Sequence, residues 1–326
     1  MASLRPATGS GKISDIFLAR LADLESRVER ELDRPAPAGG PAGEFVLDFA
    51  REAWRAGSAL LEAASTAAGR RATLASWAAG PPVDELGFDA SMAETVREVV
   101  RPLARRWLDV RETKSVALPD RGGVLVLLNR SAWPFPVEAL VLWTFLSDGR
   151  VGGRRMVALW DEDLPELPWV SDFLRRIGIV AATEDNARAL LERGAVVVAF
   201  PEGRAARAKT YDHRYRLARF EAKDLVVAAL EAGARIVPGA VVGSEESFPL
   251  FGYLGSLPLT AQFPLLGPLG LLPLPLAWRV RLGACVEYAG ASDEGPGVDA
   301  IADAVRARMQ GLIGELLAER GSIFGG

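Results

Sequence analysis

The 326-residue sequence holds a single cysteine, Cys285, and a single histidine, His213. One cysteine excludes an internal disulfide and a thiolate metal cluster, and one histidine excludes a zinc site built on imidazoles, so no metal ligands are expected. Long apolar runs are missing too. The longest, Phe263–Trp278, contains Pro264, Pro268, Pro273 and Pro275 with Gly267 and Gly270, and is too short and too broken to cross a bilayer as a helix. Met1–Gly11 lacks the apolar centre of a secretion signal, so a cytoplasmic location is expected. Excess positive charge is absent as well. The formal net charge is -4 and the pI is about 5.4, which argues against a nucleic-acid partner bound through clustered Lys and Arg.

What is present is enough apolar material, 49% of residues against 25% charged, to fill a large core. Ile13, Ile16, Phe17, Leu21, Leu24, Val28 and Leu32 recur at helical spacing and predict an amphipathic helix. Its face is expected to dock on the main domain or on a protein partner. Pro35–Gly43 offers no core-forming side chains and reads as a linker. The expected organisation is therefore a helix and linker over 1–43 and a main domain over 44–326. Within that domain, 44–120 is a helical lead-in with helices near 45–68 and 90–110. Residues 121–326 carry the sheet core.

After Gly122 the texture changes to short apolar runs separated by helical segments. Strands are predicted at Val124–Leu128, Val157–Leu159, Ile179–Ala181, Val196–Phe200, Ile236–Val242 and Trp278–Leu282, with helices at Ala187–Arg193, Ala222–Ala232 and 298–320. Runs apolar at every position predict strands covered on both faces. The fold class that follows is α/β, a mostly parallel mixed sheet flanked by helices, with an N-terminal helical extension.

Four segments carry candidate chemistry. Val124–Leu128 runs into Asn129-Arg130-Ser131 and on to Trp133-Pro134-Phe135-Pro136-Val137-Glu138. Arg176-Ile177-Gly178-Ile179-Val180 leads to Glu184-Asp185-Asn186-Ala187. Val196–Ala199 is followed by Phe200-Pro201-Glu202-Gly203, and Ile236-Val237-Pro238-Gly239 begins a further strand that runs on to Gly243-Ser244-Glu245-Glu246. In this order and spacing they resemble the glycerolipid and lysophospholipid acyltransferase family over about Leu86–Leu317. Tyr211–Phe220, Phe263–Pro268 and Trp278–Arg281 are similar to a bacterial branch of the same family.

The resemblance implies an enzyme in which a histidine deprotonates a hydroxyl as it attacks an acyl thioester, with an aspartate orienting the imidazole. Acyl-coenzyme A or acyl carrier protein would be co-substrate and no cofactor would be needed. Here the histidine position is Arg130, which stays protonated. The aspartate position falls at Val137 or Glu138. By the same resemblance Asn129, Ser131, Arg176, Gly178, Phe200, Pro201, Glu202, Gly203 and Pro238 would contact substrate. Ala205 stands where the family has a phosphate-facing cation, but Arg204, Arg207 and Lys209 lie around it, so binding of phosphate or coenzyme A is still expected.

The expectation is an acyltransferase-like protein, catalytically impaired, that binds lysophospholipid or acyl chains at a membrane surface, on its inner face. The alternative is a working enzyme using Glu138, His213 or a substrate group as base. For Glu138 the simplest expectation is an ion pair with Arg130, and for His213 an exposed loop position. Trp133, Phe135, Trp143 and Phe145 read first as core, with acyl-chain contact as the alternative. The Phe263–Leu276 stretch reads as a membrane-docking surface, one wall of an acyl groove, or an internal apolar loop.

Overall fold

A computed structural model describes residues 84, 87–133, 136–148, 151, 153–160, 168–221, 223–254, 257–260, 273–286 and 297–320. All fall in the second of the chain's two compact units, Leu60–Gly326. The expected helix over Ile13–Leu32, the linker, the boundary at 43/44, the helix near 45–68, Phe135 and Phe263–Leu272 lie outside the described residues.

The helical lead-in ends in α1 (Ala90–Pro102), capped by Asp89, whose side chain accepts from the N–H groups of Ser91 and Met92. Such caps satisfy donors that the first helical turn leaves without partners. The helix was expected to run to about residue 110; instead it turns into a short π-helical segment, Leu103–Trp107. Pro102 has no N–H to donate to the preceding turn, so the regular bonding pattern is interrupted there.

The strands are β1 (Arg111–Glu112), β2 (Val124–Leu127), β3 (Met156–Trp160), β4 (Ile179–Ala181), β5 (Val196–Ala199), β6 (Arg235–Val242), β7 (Leu250–Leu254), β8 (Leu257–Thr260) and β9 (Arg279–Leu282). Between them stand α2 (Val137–Ser147), α3 (Pro168–Ile177), α4 (Glu184–Glu192), α5 (Lys223–Glu231), the short α6 (Ser244–Ser247) and the long α7 (Val298–Glu319). The main sheet has seven strands in the order β1-β9-β6-β2-β5-β3-β4. β4, β3, β5, β2 and β6 are mutually parallel, and β9 joins β6 antiparallel with β1 parallel to it. A mostly parallel mixed sheet is what the uninterrupted apolar strands predict. A small antiparallel pair, β7 with β8, stands apart from it.

Side chains alternate across a strand, and the two cores follow that alternation. Val124, Val126, Leu128, Ala158, Trp160, Val198 and Phe200 pack in one core, shared with α1 and α2. Leu125, Leu127, Val157, Leu159, Val197 and Ala199 pack in the other, shared with α4, α5 and α7. Each fully buried aliphatic side chain contributes roughly 1.5–3 kcal/mol. Trp133 and Trp143 are buried and Phe145 packs against the core, so the core reading holds for these three.

The parallel arrangement brings the ends of β2, β5, β6 and β3 to one edge of the sheet. Open α/β sheets bind their ligands at the carboxyl edge of the strands, and Asn129–Ser131, Phe200–Gly203 and Gly243–Glu246 all follow strands there.

Candidate active-site region at the carboxyl edge of the sheet

Asn129 leaves β2 and its side chain takes over the work of a strand residue. Its Nδ2 donates to the Val241 carbonyl at 2.9 Å while its Oδ1 accepts from the Val241 N–H at 2.7 Å. Backbone pairing between β2 and β6 runs from Val124–Arg235 to Leu127–Pro238, and Pro238 cannot donate to a neighbouring strand. The Asn129 amide therefore continues the ladder past the proline. Pro238 itself is buried within the sheet.

Arg130 follows Val124, Val126 and Leu128 in alternation and points to the α1/α2 face. Its side chain is fully buried. The guanidinium donates to the carbonyls of Ser131 at 3.3 Å and Trp133 at 2.8 Å, and lies 4.0 Å from the centre of the Trp160 ring. Trp160 in turn meets Phe200 edge-on, 5.7 Å between ring centres. Among the described residues this cation thus meets backbone oxygens and an aromatic face.

Glu138, in the first turn of α2, is 1% exposed. Its carboxylate accepts from the Ser131 N–H at 2.9 Å and the Ser131 hydroxyl at 2.8 Å. The expected direct pairing with Arg130 takes a different form: Ser131 links the two, accepting from one and donating to the other. Burial pushes the Glu138 carboxyl above its ordinary value, against the opposing pull of Ser244, Ser131 and the Arg130 charge.

Glu202 is fully buried. It accepts from the Arg130 N–H at 3.2 Å, the Ala218 N–H at 2.7 Å and the Lys209 ammonium at 2.9 Å. Lys209, within the polar stretch after the signature, also donates to Glu245 at 3.0 Å. Glu245 accepts further from Asn129 Nδ2 at 2.9 Å and from the Tyr215 N–H at 2.7 Å. Burial opposes the charge on Lys209, but Glu245 and Glu202 together hold its ammonium above the ordinary value. Glu245 is pushed up by its burial and by Glu202, since one cation serves two carboxylates. The sequence places Lys209 beside Ala205 and Glu245 at the end of the fourth segment, but their pairing with Glu202 was not expected.

The chain reaches this arrangement through a turn that only glycine accommodates. Gly243 has φ of 107° and a Cβ there would sit 2.3 Å from the Ala277 carbonyl oxygen. Its N–H donates to the Tyr215 hydroxyl at 2.8 Å. Burial drives that hydroxyl well above the usual tyrosine range. Arg320 pairs with Glu246 at 2.7 Å, fastening the end of α7 to the same corner.

The remaining expected site residues divide by position. Ser131, Phe200, Pro201 and Gly203 are buried beside Arg130 and Glu202, and Arg204 and Arg207 lie on the helical turn Gly203–Ala208, the first exposed and the second half-buried. Arg176 and Gly178 are elsewhere. They precede β4, in which Ala181 pairs with Trp160, so Gly178 sits about 10 Å further down the strand direction than the Arg130 stack. Arg176 donates to Asp172 and its carbonyl accepts from the Asp89 N–H. His213 is exposed on the turn Tyr211–His213, its Nδ1 2.9 Å from the Thr210 hydroxyl. Among the described residues no group of His, Cys, Asp and Glu side chains is placed to hold a metal ion.

The sheet order and the Asn129–Arg130 and Phe200–Gly203 corners make this an α/β protein with its candidate site at the carboxyl edge of a mostly parallel sheet. A model of the family described as Acyltransferase matches residues 109–242. An uncharacterized protein of Mycobacterium leprae is 36% identical over 259 residues, covering 75% of this chain and 70% of the relative. An uncharacterized protein of Mycobacterium tuberculosis is 32% identical over 259 residues, covering 75% and 72%. The crystal structure of a 1-acyl-sn-glycerophosphate acyltransferase, PlsC, from Thermotoga maritima aligns with a TM-score of 0.46 and 18% identity over 70% of this chain and 84% of that one. The chain belongs to the acyltransferase family. Among the described residues no helix is long and apolar enough to cross a membrane.

Proposed function

We propose that this protein binds lysophospholipid or fatty acyl chains at a membrane surface through an acyltransferase scaffold that no longer transfers the acyl group. The observation that carries this reading is the engagement of Arg130 and Glu202. The first has its guanidinium on the Ser131 and Trp133 carbonyls and the Trp160 ring, and the second is enclosed by Lys209 and two backbone N–H groups. An arginine offers no lone pair to accept a substrate proton. General-base assistance contributes about a hundredfold to ten-thousandfold to such reactions, and its loss leaves binding as the retained property.

Membrane contact is supported by Phe251 on β7, which is 62% exposed. It packs against Tyr211, over whose ring the Arg214 guanidinium lies at 4.1 Å. An aromatic tip with an arginine beside it suits the interface of an anionic bilayer. Co-sedimentation with vesicles containing anionic lipid tests this, and binding that survives Phe251→Ser together with Arg214→Gln counts against it.

A second reading rests on Glu138, whose burial raises its carboxyl in the way a general base requires. In that reading the protein moves an acyl group from acyl-coenzyme A or acyl carrier protein to a lysophospholipid. Incubating the purified chain with labelled acyl donors and a panel of lysophospholipids separates the two. Retained binding without turnover supports the first; turnover abolished by Glu138→Gln overturns it.

A further inference from the structure

At the opposite end of the sheet, between α1, α2 and the start of β3, lies a cavity of about 500 Å3. Its lining includes Phe88, Arg97, Trp143, Arg154, Arg155 and Met156. We propose that this cavity binds a small phosphorylated organic molecule.

Charge sets the ligand class. Among the described lining residues there are arginines but no carboxylate. Arg97 pairs with Glu94 and Arg155 with Asp84, both outside that lining, while Arg154 donates to the carbonyls of Val151, Gly122 and Pro119. Donor capacity remains. Arg97 Nε and both Nε and Nη2 of Arg155 are buried without a hydrogen-bond partner, a costly state for cationic N–H groups. Burial lowers the Arg155 pKa and the nearby Arg193 lowers it further, with Asp84 alone opposing them. A modest turn of either guanidinium would present its spare N–H groups to an acceptor. Phosphate carries several acceptor oxygens in the geometry an arginine fork prefers.

The walls call for an apolar portion as well. Arg97 lies 5.4 Å from the Trp143 ring centre and Arg155 lies 4.5 Å from that of Phe88, so both cations rest on aromatic faces. Met156 and Val151 complete an apolar side. The volume falls in the range of about 300–1,000 Å3 typical of small-molecule sites. Met156 opens the strand that Trp160 closes, which puts this cavity about 13 Å from the Arg130 stack along β3. It is therefore independent of the acyltransferase corner.

Isothermal titration of the full chain with phenyl phosphate, inorganic phosphate and phenol tests the assignment. Saturable binding is expected for phenyl phosphate, tighter than for inorganic phosphate, with none for phenol. Arg155→Gln should weaken it by about tenfold or more. Ala90→Trp, placed at an exposed lining position at the start of α1, should obstruct the mouth and weaken binding without touching the core. Should Arg155→Gln fail to fold, Ala90→Trp decides alone. No saturable binding of phenyl phosphate, or full-strength binding in Ala90→Trp, overturns the proposal. Equal affinity for phenol overturns its anionic part, and equal affinity for inorganic phosphate overturns its organic part.

Discussion

The Arg130 guanidinium lies 4.0 Å from the centre of the Trp160 ring, at the end of the adjacent-but-one strand. A desolvated cation on an indole face gains about 2 kcal/mol or more. Two carbonyls from its own loop accept from the same guanidinium. The charge is therefore part of the packing between the β2 loop and the α1/α2 core.

Arg130→His is expected to lower stability by roughly 2–4 kcal/mol, the sum of the lost ring contact and charge-assisted hydrogen bonds. It is also expected to produce no acyl transfer, because Glu138 and Glu202 keep their present partners. Urea unfolding and a labelled-acyl assay on the same preparation check both. Wild-type stability in the variant would show that the Trp160 contact contributes nothing.

Lys209→Met removes the one ammonium between Glu202 and Glu245 and leaves two carboxylates buried together. Breaking a buried pair in this way costs about 3–5 kcal/mol. Adding Glu202→Gln to the same chain should recover part of the loss, because the neutral amide needs no counter-charge. A double-mutant cycle measures the coupling; strictly additive effects would mean the bridge is not formed.

Glu138 supplies a pH dependence with a defined sign. Its folded pKa is raised by burial, so its contribution to stability is fully present below the ordinary carboxylate value and is lost as pH rises through the folded value. Glu138→Gln keeps an acceptor for the Ser131 N–H and cannot ionise. Its stability relative to wild type should therefore increase from pH 4 to pH 8 by chemical denaturation, and a flat difference would place the carboxyl in its ordinary range.

The opposite sign is expected at Glu319. Hydrogen bonds from Arg281 and Lys114 hold its carboxyl down to about 2, so its contribution is present above the ordinary carboxylate value and disappears as pH falls toward 2. Glu319→Gln should remove that part of the acid limb in a pH series of thermal unfolding. An unchanged limb would mean α7 is held by other contacts.

The strands could be read from the sequence because the sheet is covered on both faces, which makes Val124–Leu127 and Val196–Ala199 apolar at every position. The same burial hid α2. Ala139, Val141, Leu142, Trp143, Thr144 and Leu146 are all buried, so the helix has no polar stripe and no 3.6-residue rhythm to betray it. At the site, Asn129 and Glu202 could be picked out because each belongs to a short local pattern. The bridge from Lys209 to Glu245 could not: 36 residues separate them, and only the turn at Gly243 brings the second carboxylate inward. The arginine-lined cavity was equally silent, since Phe88, Arg97, Trp143 and Arg155 come from different elements and form no motif.

The Lys209 bridge also sets a condition on the corner as a whole. For Glu202 to face a ligand, it must first give up an ammonium and two backbone N–H groups, and Glu245 must find another cation. Each of those steps taken singly weakens a native state whose total margin is only about 5–15 kcal/mol. Three chain segments distant in sequence are thereby tied into one unit, so a change at any one of them is felt at the other two.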